Sequence, residues 1–176
     1  MKLFLSIVLN TFIATMIIFL LVIIVDVTFV ISFSSIMKHH AHDLTVILTN
    51  KRDNLVKLME FLSARGIKLD KKNVEKLNNF DSKRLEIRDD NDSKAARDEL
   101  TSLSNYLLSV YEQNNVKDEQ GECQKIINNI YELEKVYRQH LMMYNADVLG
   151  YNFWIIFFPT RFIYIILRFK SKENIE

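Results

Sequence analysis

Residues 3–25 read LFLSIVLNTFIATMIIFLLVIIV. The run carries no charge, and a helix needs about 20 apolar residues to cross the hydrocarbon core of a bilayer. It is therefore predicted to span a membrane. Ser6, Asn10, Thr11 and Thr15 interrupt it, and hydroxyls can bond back to the carbonyls of their own helix. A buried helix of a soluble protein rarely stays apolar on every face for this length. A cleaved signal has a shorter apolar core followed by a small-x-small site, so an uncleaved anchor is expected. Asp26 ends the run. A carboxylate at mid-bilayer costs about 2.5–3.5 kcal/mol on insertion scales, which places Asp26 at the interface, with Val27 to Met37 continuing as an interfacial or core helix. The competing reading is an intramembrane acid that serves ion or proton movement.

Composition agrees with a helical chain. Among 176 residues there are three glycines and one proline, Pro159. These residues punctuate turns and strand ends, so their scarcity favours long helices. With 23 basic and 22 acidic side chains the net charge is +1, and a nucleic-acid binder needs a basic face that this balance does not supply. The single cysteine, Cys123, allows no intrachain disulfide. It is expected to be a small helix residue near a turn.

Beyond the anchor the apolar residues fall at helical steps. Leu44, Leu48, Leu55, Leu58 and Leu62 make one face, with Lys51 occupying one slot. This helix is predicted to end near Arg65-Gly66, where Gly66 can take the left-handed cap conformation. Asp70 reads as the N-cap of a shorter helix carrying Val74, Leu77, Phe80 and Leu85. The stretch from Arg88 to Ser93 has no apolar residue and reads as a solvated loop, with Asp92 or Ser93 capping the next helix. It lacks the glycine and terminal glutamate of a calcium loop. This third helix carries Ala96, Leu100, Leu103, Leu107 and Val110, and the polar stretch Glu112 to Gly121 separates it from the fourth. The fourth helix has the clearest pattern: Ile126, Ile130, Leu133, Tyr137, Leu141, Tyr144, Val148 and Tyr151 form its inner stripe. Short polar connections imply antiparallel neighbours, hence an all-α, up-down helical bundle behind the transmembrane helix. The expected division is 1–33 for the anchor and its extension, 34–152 for the bundle and 153–176 for an apolar and basic C-terminal tail.

The tail begins Phe153-Trp-Ile-Ile-Phe-Phe158 and is broken at Pro159-Thr-Arg161. Proline breaks the helix and arginine sits poorly in lipid. The tail is expected in the bilayer interface, with Trp154 and Tyr164 at headgroup depth and Arg161, Arg168, Lys170 and Lys172 toward anionic lipid. Packing across the bundle end and a second span over 153–169 are the alternatives. Lys2 alone precedes the span, whereas Lys38, Lys51 and Arg52 follow it and Arg161, Arg168, Lys170 and Lys172 lie near the other terminus; with both ends of the folded domain facing the bilayer, this excess puts the bundle on the cytoplasmic side of an inner or plasma membrane as a single-pass protein.

No phosphate loop, HExxH, CxxC or GxSxG pattern occurs, so neither an enzyme nor a cofactor is expected. His39, His42 and Asp43 have metal-compatible helical spacing, with His40 adjacent. They are read as a solvated juxtamembrane patch, and no metal is assigned; His140 reads as structural. Arg138, Asn145 and Asn152 recur every seven residues along one stripe, and Glu134 lies one turn before Arg138. This polar stripe is either an interhelical network that sets the bundle register or a contact surface for a partner.

The residues Glu134-x-x-x-Arg138, Tyr144-Asn145, Val148, Tyr151-Asn152 and Phe158-Pro159 resemble the C-terminal signature of LemA family proteins. The segment Lys51-Arg52-Asp53-Asn54-Leu55-Val56 is similar to the family's basic-then-Leu-Val segment, and the N-terminal anchor agrees. Phe33-Ser34 departs from the Tyr-Asn pair that the family places after its anchor, and the tail is more apolar than usual. The resemblance implies a bacterial, membrane-anchored helical bundle without enzymatic activity or cofactor, and roles in envelope stress or membrane organisation. The expected function is a non-enzymatic scaffold or adaptor. Its partners would be membrane lipids, a protein partner or further copies of the chain. The alternative is a sensor or transport component using Asp26 and a second membrane segment.

Overall fold

A computed structural model describes residues 1–88, 91–114, 121–156, 161–166 and 168–175, with backbone alone at 2 and 3. The expected solvated acids Asp89 and Asp90, the polar connection at 115–120, the Phe158-Pro159 pair with its helix break, and Leu167 of the tail lie outside these residues. Among the described residues every regular element is helical. The elements are α1 (Lys2–Ala64), α2 (Lys71–Asn78), a 3-10 turn (Ser82–Leu85), α3 (Asn91–Gln113), α4 (Glu122–Ile156) and α5 (Arg161–Ile166).

The anchor and the first bundle helix form one uninterrupted helix, α1. Its length follows from composition, because no glycine or proline occurs before Gly66. The threonines inside it bond back as expected: Thr11 and Thr15 donate to the carbonyls of Ile7 and Thr11. Its N-terminal part is long and apolar enough to cross a membrane. There the side chains from Phe4 to Val25 are exposed almost throughout.

Gly66 ends α1 at φ 76°. The Gly66 N–H donates to Ser63 and the Ile67 N–H donates to Leu62, which is the paired-bond closure a left-handed residue permits. Asp70 caps α2 as predicted, its carboxylate accepting from the Lys72 N–H. The helix then stops at Asn78, earlier than the sequence pattern suggests. Asp81 caps a separate 3-10 turn through the Lys83 N–H, so Phe80 and Leu85 reach the core from a loop and a turn rather than from one helix. Asp92 and Ser93 lie inside the first turn of α3 rather than before it. The Ser93 hydroxyl donates to the Glu86 carbonyl and accepts from Arg97.

The chain divides into two compact units. One is His39–Tyr144; the other joins Met1–Lys38 to Asn145–Glu176. The boundaries differ from those expected at 33/34 and 152/153, because the last turns of α4 pack with the anchor segment and tail.

In the His39–Tyr144 unit, Leu48, Leu55, Leu58 and Leu62 of α1 meet Leu77, Phe80 and Leu85, Ala96, Leu100, Leu103 and Leu107 of α3, and Cys123, Ile127 and Ile130 of α4. The α1 and α3 stripes are those the spacing predicts. On α4 the seam runs through Cys123, Ile127 and Ile130, with Ile126 and Leu133 only half-buried. Leu141 is also half-buried, a correction to its place on the inner stripe. The spacing of four and three from Cys123 reaches Glu134 after Ile130, so the seam carries a polar residue where the apolar reading takes Leu133. Cys123 is buried, as its expected structural role requires.

In the other unit, Asp26, Val30 and Met37 of α1 are buried, as are Val148, Tyr151 and Ile155 of α4, Tyr164 of α5 and Ile175 of the tail. Gly150 lets the Phe33 ring approach closely. A Cβ at that position would lie 2.7 Å from the Phe33 ring, which would have to shift to admit it. The tail turns back after α5 through Arg168 at φ 59°. The Arg168 and Phe169 N–H groups donate to Ile165 and Tyr164.

Candidate functional site

Polar side chains interrupt the inner stripe of α1 at Asp26, His40 and Lys51, and each meets a partner. Lys51 is 4% exposed and points its ammonium at Glu134 on α4, 2.7 Å away. Arg138 donates to the second oxygen of the same carboxylate at 3.2 Å. Burial opposes the charge on Glu134, yet the Lys51 ammonium and the Arg138 guanidinium outweigh it and hold its pKa below the ordinary carboxylate value. Arg138 itself is 75% exposed. A cavity of about 320 Å³ opens beside this trio, lined also by Thr101, Asn105, Leu108 and Tyr131. It is a polar, accessible recess with fixed charges in its wall, at the small end of ligand-pocket sizes.

Asn145 and Asn152 share the stripe with Glu134 and Arg138 in sequence, but their task is different. Each amide grips the tail backbone twice. Asn152 donates to the Lys172 carbonyl at 2.8 Å and accepts from the Lys172 N–H at 2.9 Å. Asn145 does the same with Ile175, at 2.9 Å in both directions. Two residues seven apart on a helix are about 10.5 Å apart along its axis, and three extended residues span much the same length. This match lets one helix face bind Lys172 and Ile175 in register. Lys172 also lays its ammonium over the Tyr151 ring, 5.6 Å from the centroid. The stripe is thus an interhelical ion-pair layer at one end and a clamp on the tail at the other.

The expected membrane-interface residues separate in the same way. Arg161, Arg168 and Lys170 are exposed. Trp154 is half-buried and stacks on Phe29, with ring centroids 4.7 Å apart and planes 2° from parallel. Tyr164 is 1% exposed, packed on Phe169 and beside Asp26. Its ring packs inward rather than standing exposed. Asp26, also 1% exposed, borders an open apolar cleft of about 370 Å³ formed by Ile18, Leu21, Val22, Val25 and Trp154.

The histidines divide as well. His42 is exposed and apart. His40 and Asp43 of α1 are joined by His140 of α4, with His140 Nδ1 3.6 Å and His40 Nδ1 4.0 Å from the same Asp43 oxygen. The exposed His39 reaches that oxygen at 3.7 Å. Spacing along one helix cannot reveal a ligand from another, and His140 carries no local signal. Lys51 does carry one: a charge on an apolar stripe demands a buried partner.

The tail clamp gives a direct test. Asn152→Ala should raise the exchange rate of the Lys172 amide about 10-fold or more, the effect of losing a hydrogen-bonded pair worth at least about 1.4 kcal/mol. Hydrogen-exchange mass spectrometry of the intact chain in micelles reads it, and unchanged protection at Lys172 would show that the clamp does not hold the tail. Compared with known proteins, the chain matches no family model, no curated protein and no solved structure.

Proposed function

We propose that this chain is a membrane-anchored helical scaffold or adaptor without enzymatic activity, of the kind represented by the LemA family that it resembles. The observation that carries the reading is a segregation of surfaces. Apolar side chains from Phe4 to Val25 stand exposed on α1, whereas the His39–Tyr144 unit buries its own core and leaves a charged recess open. A large exposed apolar surface needs a lipid or protein cover. A recess walled by Lys51, Glu134 and the exposed Arg138 suits a polar partner. In this reading the His39–Tyr144 unit is an antiparallel up-down bundle on the cytoplasmic side of the inner or plasma membrane, with no resident cofactor. Exposed Phe162, Ile165 and Ile166, with Arg161, Arg168 and Lys170, form the face of the C-terminal segment that meets the bilayer interface.

A second reading, a sensor or transport component, is favoured by Asp26, a carboxylate buried next to Tyr164 in an apolar setting. There the segment 153–169 would cross the membrane. Reporter fusions at the C-terminus and in the loop after Arg88 separate the two. A single-pass scaffold places both reporters in the cytoplasm; reporters on opposite sides would establish the second crossing and sink the scaffold topology.

A further inference from the structure

We propose that His40, Asp43 and His140 form a binding site for a divalent first-row transition-metal ion, clipping α4 to α1 within the His39–Tyr144 unit. One donor atom of each residue lies within 4.8 Å of the other two, and all three residues are half-buried. Two imidazoles and a carboxylate are the donor set that zinc, cobalt, nickel and ferrous iron share.

The distances distinguish a metal site from a hydrogen-bonded cluster. An imidazole N–H donating to a carboxylate brings the heavy atoms to about 2.7–3.2 Å. The observed separations from the Asp43 oxygen are 3.6 Å to His140 and 4.0 Å to His40. Two ligands each about 2.0–2.1 Å from a tetrahedral zinc ion stand about 3.3 Å apart. Both separations are longer than a hydrogen bond, and they reach the ligand spacing of an ion by closing about 0.3 and about 0.7 Å. His140 Nδ1 is buried and has no hydrogen-bond partner among the described residues, as a ligand nitrogen facing a cation would. The backbone supports the arrangement: His40 and Asp43 lie one helical turn apart on α1, and the His40 and His140 rings meet edge to face with centroids 5.9 Å apart. Three protein ligands leave a fourth position, which exposed His39, 3.7 Å from the same carboxylate oxygen, or a water could fill.

The test is cobalt titration of the full chain in detergent micelles, purified without a polyhistidine tag, followed by displacement with zinc. One equivalent of Co²⁺ should bind with visible ligand-field bands, and Zn²⁺ should abolish them. His140→Ala and Asp43→Asn should each weaken binding more than about 10-fold, since loss of even an outer-shell partner costs that much. His140→Gln keeps most of the side-chain volume, and circular dichroism of each variant confirms that the helices persist. The double variant His39→Ala/His42→Ala should still bind one equivalent. The proposal is overturned if no ligand-field band appears. It also fails if a folded His140 variant binds as tightly as the parent, or if the double variant alone loses the metal. The last result would place the ion on the exposed α1 histidines. Added zinc should raise the melting temperature of the parent chain and leave that of His140→Gln unchanged.

Discussion

Glu134→Ala is expected to destabilise the chain by about 3 kcal/mol, the lower part of the range for stripping a buried charge of its partner. The reason lies in the asymmetry of the pair. Lys51 is buried and Glu134 retains a third of its side-chain exposure, so removing the carboxylate leaves a buried ammonium without its ion-pair partner. Lys51→Met removes the costly partner and leaves Glu134 with Arg138 and solvent; its cost should be clearly smaller. The double variant Lys51→Met/Glu134→Leu should lie near the parent or above it. Urea melts of the micelle-bound chain would measure all three, and equal losses in the two single variants would mean that Lys51 is not desolvated. Acid should act through the same group. Because the folded pKa of Glu134 is depressed, its contribution is fully present above the unfolded value near about 4.3 and is lost as pH falls through the folded one. Glu134→Gln should flatten that acid limb.

Leu58→Ala should cost about 2–5 kcal/mol, the range for truncating a fully buried leucine whose surroundings cannot close the gap. Leu58 is 0% exposed and belongs to the core cluster that joins residues of α1, α2, α3 and α4. Leu141, only half-buried, should cost less than half as much when truncated to alanine. A melt in which Leu141→Ala equals or exceeds Leu58→Ala would move the core toward the middle of α4 and overturn the seam drawn through Cys123, Ile127 and Ile130.

Both expectations come from positions that local pattern identifies only in part. The leucine stripe of α1 is legible because packing against any apolar neighbour demands the same steps of three and four. Gly66 and Asp70 are legible because left-handed closure and side-chain capping are local events, complete within a few residues. Lys51 is visible as an anomaly, and its answer, Glu134, is visible as one member of a polar stripe. Joining them requires the facing of two helices, which brings side chains 83 residues apart in sequence to 2.7 Å in space. Asn145 and Asn152 look equivalent to Glu134 and Arg138 because a seven-residue period is blind to the group that arrives opposite. The tail backbone that they hold has no side-chain pattern to announce it.

By itself the sequence determined the helical class, the exposed apolar run of α1, the inner faces of α1 and α3, and the cap and stop signals around 66–70. These depend on periodicity, backbone freedom and solvation, which act within one or two turns. Only the tertiary structure decided that α2 ends at Asn78 and that Tyr164 turns inward to Asp26. The same holds for the tail docking on Asn145 and Asn152, and for His140 completing a cluster with His40 and Asp43. Each of those outcomes depends on which distant group fills the space opposite a side chain. A polar atom removed from water takes whatever partner the packing delivers, and the choice of partner is a property of the folded chain as a whole.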